Sequence, residues 1–300
     1  MEHDKIKRKH AYLIMAHDSQ ELLIMLLKLL DSDCHDFFIH IDRKSESIDE
    51  NTVKQAAQNS GVTFVKRHNI NWGGYSQIET ELALLSAAIK NEYSYYHLLS
   101  GHDLPLKTAE QIYLYFENSG KNHVNFREKT ADIDRRIKYY RFFQEKRAKN
   151  NRLWSTVDRV NQGIQMMLHI DRTASLDHYD IAFGSQWFSI THELAHYVCS
   201  KKNEIKKIFR FGWCVDELFI QSLIINSEKD WNLAFPPDDH DYHSCMRYID
   251  WTRGSPYVFQ REDYQELMES NFMFARKFDL EQDREICDMI YNTLLPGRGK

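Results

Sequence analysis

An α/β fold, with a mostly parallel mixed sheet covered by helices on both faces, is what this 300-residue sequence predicts. Three observations carry that expectation. Ala11–Ala16 is a continuous apolar run of strand length, as expected of a strand buried on both faces. Comparable runs recur at 37–41, 62–65, 95–100 and 123–126. Between them lie helical patterns, several opened by cap signals, and strands alternating with helices at this spacing form parallel sheets.

Taken in order, the first strand leads into Asp18-Ser-Gln-Glu21, a cap residue with a Glu three positions on, which reads as a capping box for a helix over 22–30. Phe37–Ile41 is the second strand and ends in Asp42-Arg-Lys-Ser45. Val62–Val65 is the third. The loop Asn71-Trp-Gly-Gly74 follows, and Ser76-Gln-Ile-Glu79 caps a helix running to about Lys90. Tyr95–Ser100 is a strand, Gly101–Pro105 a turn, and Thr108-Ala-Glu-Gln111 a further capping box before a helix over 112–116. His123–Phe126 closes the series.

From Arg127 to about Ala174 the character changes. Between Arg135 and Arg152 eight Lys and Arg stand against one acid, Glu145, with Tyr139, Tyr140, Phe142 and Phe143 interleaved. A solvated helical face, a rim gripping an anionic acceptor, and attraction to an anionic membrane surface all fit this pattern. Strand character returns over Asp180–Ile190, and Thr191 opens a helix. Leu218–Ile220 and Leu223–Ile225 read as a buried helix, with Asp216 as its natural N-cap and Glu217 as a first-turn acid favoured by the helix dipole. Trp231–His243, with Pro236 and Pro237, is loop. Arg247–Trp251 is a short strand, and 262–270 and 281–295 are helices. No Pro-, Gly- or Ser-rich linker divides the chain, so 1–300 is expected to be one domain carrying an insertion at about 127–174.

Composition narrows the function. A net charge of −5 excludes general nucleic-acid binding, which needs a basic field. Sixteen Tyr and 17 Phe supply stacking faces suited to carbohydrate or nucleotide grooves. Five scattered cysteines with no CxxC spacing fit reduced thiols in a cytoplasm, and neither a zinc site nor a disulfide framework. The polar N-terminus has no signal-peptide pattern, and Leu22–Leu30, interrupted by Lys28, is too short to span a bilayer.

Parallel sheets bind ligands at the carboxyl ends of their strands. The loops at 40–45, 71–76 and 101–105 are therefore where substrate is expected. Neither GxGxxG nor GxxxxGK[ST] occurs. His40 and Asp42, with the acids and histidines of 238–243, offer metal-ligand chemistry, but a satisfied His and solvated loop acids account for them better. Gly184-Ser-Gln186 is not a GxSxG elbow. Glycosyl transfer uses more of the pieces. Asp42 and Asp103 can accept hydrogen bonds from ribose or uracil, and Arg247 and Lys277 can neutralise a departing diphosphate. Glu217 can deprotonate a sugar hydroxyl. Trp187 and Trp72 can pack on a sugar ring.

Seven segments in order strengthen this reading: Tyr12-Leu-Ile-Met-Ala-His17, Ile39-His-Ile-Asp-Arg-Lys-Ser45, Leu98-Leu-Ser-Gly-His-Asp-Leu-Pro-Leu-Lys107, Gly184-Ser-Gln-Trp-Phe-Ser189, Asp216-Glu-Leu-Phe219, Arg247-Tyr-Ile-Asp-Trp251 and Phe274-Ala-Arg-Lys-Phe-Asp279. Together they resemble the core-2/I-branching β-1,6-N-acetylglucosaminyltransferase family, which also includes peptide O-xylosyltransferases. The resemblance implies a GT-A-like, Rossmann-like fold, a UDP-sugar donor, inversion at the anomeric carbon and a catalytic Glu at Glu217. It further implies that a basic pair, Arg247 and Lys277, replaces a metal at the diphosphate, with Arg253 and Arg276 as rivals for the two roles. The Gly101-His-Asp103 segment is not a DxD motif, since it offers one acid.

On this reading a nucleotide-sugar half covers about 10–126 and an acceptor and catalytic half about 180–300. Unlike the animal enzymes, the chain shows no anchor, stem or disulfide set, which implies a bacterial member. Such a member acts in the cytoplasm, or peripherally at the inner membrane face through Arg135 to Arg152, on a polysaccharide or lipid-linked saccharide. N-acetylglucosamine is the expected sugar, with no metal cofactor. A UDP-xylose-using transferase, a non-catalytic binder of glycan or nucleotide-sugar, and a metal-dependent hydrolase are the alternatives.

Overall fold

The computed structural model describes residues 8–146, 152–176, 178–240 and 242–295. Arg147 and Lys149 of the basic segment and Asp241 of the acidic loop lie outside the described residues.

Numbered in chain order, the main sheet contains β1 (His10–Ala16), β2 (His35–Ile41), β3 (Gly61–Phe64), β4 (Tyr95–Ser100), β6 (His123–Val124) and β7 (Phe188–Thr191). Their order is β3-β2-β1-β4-β7-β6. The first four are parallel, and β7 runs antiparallel to both β4 and β6. The predicted mostly parallel mixed sheet is therefore present. Its continuous apolar runs are explained by two cores. Ala11, Leu13 and Met15 of β1 point into one, while Tyr12, Ile14 and Ala16 point into the other. Helices α3 (Ser76–Ala88), α7 (His192–Ser200) and α9 (Phe219–Ile225) cover the first face; α1 (Gln20–Leu30), α4 (Ala109–Ser119) and α11 (Arg284–Leu294) cover the second.

A second, three-stranded sheet joins β5 (Asp103–Pro105), β9 (Phe274–Arg276) and β8 (Arg247–Ile249) in the order β5-β9-β8. It corrects the reading of Gly101–Pro105 as a turn only, because Asp103, Leu104 and Pro105 pair with Arg276, Ala275 and Phe274. The strand expected over 180–190 forms only from Phe188. Upstream of it, Ser185 O accepts from Gln221 Nε2 of α9 at 2.7 Å and Ser185 N donates to Asn125 Oδ1 at 3.0 Å, so side chains replace ladder bonds there.

Capping followed the sequence at α4, where Thr108 and Gln111 complete a capping box. It did not at α1. Ser19 has a left-handed φ of 49° and makes no side-chain cap; Asp18 turns to His102, and Glu21 pairs with Arg284 at 2.6 Å. At α3 the cap comes from elsewhere in the chain. The Ser76 N–H donates to Glu145 Oε1 at 2.9 Å, so the one acid of the 135–152 stretch satisfies an orphan donor of a distant helix. The insertion itself forms α5 (Ala131–Lys138) and α6 (Arg152–Met167), α8 (Lys202–Phe209) follows α7, and α2 (Glu50–Gln55) and α10 (Tyr264–Glu269) are the remaining α-helices of the described residues.

Candidate active site

β2 and β3 lie on one side of β1 and β4 on the other, so the carboxyl ends of β1 and β4 flank the switch point. His17 and Asp18 follow β1; His102 and Asp103 follow β4. The His102 ring lies 2.9 Å from Phe278 O through Nδ1, which must therefore carry a proton, and 2.5 Å from Asp18 Oδ1 through Nε2. Burial pulls the Asp18 carboxyl up, but the hydrogen bond and charge of His102 outweigh it and hold Asp18 below the usual carboxylate range. Burial, with the cations Lys277 and Arg276 nearby, keeps His17 below the usual imidazole value despite Asp18. Lys277 thus stands at this crevice, and it makes no ion pair among the described residues.

Asp103 is fully buried and does not present a free carboxylate. Its oxygens accept from Ser100 N at 3.0 Å, Ser100 Oγ at 2.7 Å and Arg276 Nη1 at 2.8 Å. It anchors Arg276, whose guanidinium lies 4.6 Å from the Trp187 ring centroid. Trp187 is a buried platform for that cation. Asp42, at the end of β2, is also buried and accepts from Lys44 N at 2.9 Å and Ile70 N at 3.3 Å. Trp72 is exposed and packs edge-on to Trp213 at 6.2 Å.

The Gly184–Trp187 segment links this crevice to the second part of the site. Gly184 approaches Asn125 so closely that a Cβ would sit 1.9 Å from Asn125 O, and its N–H donates to Glu217 O at 3.0 Å. Glu217 ends a 3-10 turn, Val215–Glu217, entered through Cys214 in a left-handed conformation at φ 47°. The half-buried Glu217 carboxylate receives Arg136 Nη1 of α5 at 2.6 Å. That guanidinium packs over the rings of Phe183, at 5.0 Å, and Trp213, at 5.7 Å.

Asp216 is not the N-cap expected of it. Leu218 occupies the cap position of α9, and Asp216 points inward to accept from Gln77 Nε2 at 2.8 Å. Burial, reinforced by the charge of Glu217, raises its pKa to about 7. Buried Glu81 is also pushed well up, by desolvation and by Asp216. A carboxyl that leaves water without a cation partner titrates late.

Arg247 requires a correction. It is 1% exposed, and its guanidinium donates to Ser189 Oγ at 2.8 Å, Leu98 O at 3.1 Å, Phe188 O at 2.6 Å and Cys245 O. Those bonds tie the second sheet to β4 and β7 and engage the guanidinium inside the protein. Its rival Arg253 is partly exposed and lies 4.0 Å from the ring centroid of Tyr257, whose carbonyl accepts from Lys277 N at 3.4 Å. Arg253 and Lys277 therefore flank one residue, though Arg253 also pairs with Asp250 and Asp263.

Among the described residues His40 joins no metal group: its Nε2 is 3.1 Å from His68 Nδ1, and burial and that neighbour lower its pKa to about 4. The ligand atoms of His17, Asp18 and His102 do lie within 4.8 Å of one another. Two imidazole nitrogens and a carboxylate could hold a divalent ion. Sequence reasoning missed these three residues and Arg136. The switch-point rule points to the loop after β1 as much as to those after β2 and β4, and that signal was available. Nothing in the basic run singles out Arg136.

The chain matches the family model described as Branch: Core-2/I-Branching enzyme over residues 10–272. Among curated proteins, Xylosyltransferase 2 of Canis lupus familiaris is 23% identical over 315 residues, covering 96% of this chain and 34% of that protein. Xylosyltransferase 2 of Homo sapiens is 24% identical over 316 residues, with the same coverages. The chain spans about a third of the length of these relatives. A solved structure of mouse xyloside xylosyltransferase 1, apo form, aligns with a TM-score of 0.36 and 10% identity, over 89% of this chain and 96% of that one. With nearly all of its length matched by the family model, the chain belongs to the Core-2/I-branching enzyme family of glycosyltransferases.

Proposed function

We propose that this protein transfers a sugar from a UDP-sugar to a hydroxyl of a glycan or lipid-linked saccharide by single displacement with inversion. The observation that carries the reading is the Gly184–Trp187 segment, which holds Glu217 at one end and the Arg276 platform at the other. Glu217 takes the acceptor proton as the acceptor oxygen bonds to C1 of the donor sugar. The bond from C1 to the phosphate oxygen breaks, and UDP leaves with the electron pair. Lys277, with Arg253 and Arg276, neutralises the charge that gathers on the diphosphate. Exposed Trp72 offers a ring face to a sugar at the rim.

The transfer needs no metal. Lys277 and Arg276 stand beside His17, Asp18 and His102, and two cations already at the diphosphate make a divalent ion there electrostatically redundant. N-acetylglucosamine is the sugar proposed. Xylose is the second reading, favoured by the names of the relatives.

A donor panel tests this. A ligand bound only by the folded state raises the melting temperature. UDP, UDP-N-acetylglucosamine and UDP-xylose are expected to do so and a GDP-sugar is not. Turnover with the accepted donor is expected to survive EDTA. No shift with any UDP compound would sink the proposal, and a shift without turnover would favour a binding protein.

A further inference from the structure

We infer that the outer face of α6 docks on an anionic lipid bilayer. This helix is amphipathic in the inverse sense. Its buried residues are polar: Asp158 receives Arg141 Nη1 at 2.6 Å and Gln162 Nε2 at 2.8 Å. Gln165 accepts from Tyr140 N at 2.8 Å and donates to Tyr140 O at 2.9 Å, and Asn161 Nδ2 donates to the same carbonyl at 2.8 Å. Most of its apolar residues face outward instead, with Trp154 and Val157 half-buried. Val160 is 57% exposed, Ile164 48% and Met167 72%, and Leu168 just beyond is exposed as well. Spaced i, i+4 and i+7, the first three share one stripe.

A helix anchored by its polar side leaves an apolar stripe that water does not favour, and its surroundings identify what covers it. Residues 127–174 carry twelve Lys and Arg against six Asp and Glu, a net of +6 on a chain of net −5, so the remainder carries −11. Arg159 is an exposed cation on α6 itself, about 100° round the helix from Val160. Anionic headgroups attract such a cluster, the more so at low salt. A soluble polyanion would satisfy the charge but leave Val160, Ile164 and Met167 in water; a bilayer takes both. No helix among the described residues is long and apolar enough to cross a membrane. At sixteen residues, roughly 24 Å, α6 suits a position lying in the interface.

The inference stands apart from the catalytic reading, because it is tested without turnover. Sedimentation with vesicles of phosphatidylcholine, with and without phosphatidylglycerol, is compared for the intact protein and for Val160→Asp/Ile164→Asp. Binding to the anionic vesicles that weakens with salt, and about tenfold or greater loss of it in the variant, are expected. Val160→Ser/Ile164→Ser replaces that variant if circular dichroism shows the Asp pair misfolded. Unchanged binding by the variant, or no binding by the intact protein, overturns the inference. So does a dimer in solution that the substitutions convert to monomer, since a second copy would then cover the stripe.

Discussion

The Arg136 guanidinium lies 2.6 Å from the Glu217 carboxylate, and the Arg136 carbonyl accepts the Trp213 N–H at 2.9 Å. Backbone and side chain of one residue thus clasp both sides of the turn that carries the proposed base. The cation is held between Phe183 and Trp213, so it has little freedom to swing away. Its partner is the Oε2 oxygen, which leaves Oε1 for an acceptor hydroxyl. The 127–174 segment is therefore part of the site.

Three substitutions separate chemistry from positioning. Glu217→Gln keeps the shape and removes the basicity, so kcat is expected to fall about a hundredfold or more with UDP affinity unchanged. Arg136→Ala leaves the carboxylate in place without its orienting cation, and a loss of kcat of about tenfold is expected, again with UDP affinity unchanged. Arg136→Lys restores part of that loss if charge matters, and none if the planar stack between the two rings is essential. Steady-state kinetics with UDP titrations read all three. Full activity in Glu217→Gln would remove it as the base.

The cations near the second sheet make opposite predictions. Lys277→Ala and Arg253→Ala are expected to weaken UDP binding about tenfold each while leaving the melting temperature within a few degrees. Arg247→Ala leaves the oxygens of Ser189, Leu98, Phe188 and Cys245 without their donor in a closed interior. A cost of about 2–5 kcal/mol and a markedly lower melting temperature follow, with UDP affinity intact in whatever remains folded. Normal stability but lost UDP binding in that variant would return Arg247 to the diphosphate.

These residues also show what the sequence made legible. The central strands were readable because two-sided burial writes a continuous apolar run, and β1 divides its six core residues between two clusters. The second sheet was not, since β5, β8 and β9 are three residues each, too short to carry a period, and are brought together from distant parts of the chain. Its motif singles out Glu217, which the structure places against Arg136. Asp216 could not be read correctly, because the Gln77 that turns it inward is 139 positions away. Nor does a sequence distinguish Arg247, buried against strand-end carbonyls, from Arg253 at the surface.

Gly184 tests the link between the two parts of the site. A methyl group there would meet Asn125 O at 1.9 Å, which no rotamer change can relieve because both partners are backbone. Gly184→Ala must displace the segment, and with it the N–H that Glu217 O accepts. Overpacking of this kind costs about 1–3 kcal/mol. A lower melting temperature together with a loss of kcat exceeding that of Trp72→Ala is expected. If Gly184→Ala lost stability but kept kcat, the segment would not be what positions Glu217.

Asp216 gives the fold a pH dependence of definite sign. Its pKa rises from the ordinary 3.8 to about 7 in the folded chain, through burial first and the charge of Glu217 second. Between those values the folded protein holds a proton that the unfolded chain has released, so stability falls as pH climbs through the window. Glu81, pushed up by burial and by Asp216, adds in the same direction. Asp216→Asn removes the ionisation while retaining an oxygen for Gln77. Its stability relative to the intact protein is therefore expected to rise from about pH 4 to about pH 7 and to level off above, read as the difference between two melting curves. Parallel curves across that range would mean that Asp216 ionises normally, and that the buried carboxyl is solvated in a way this packing does not provide.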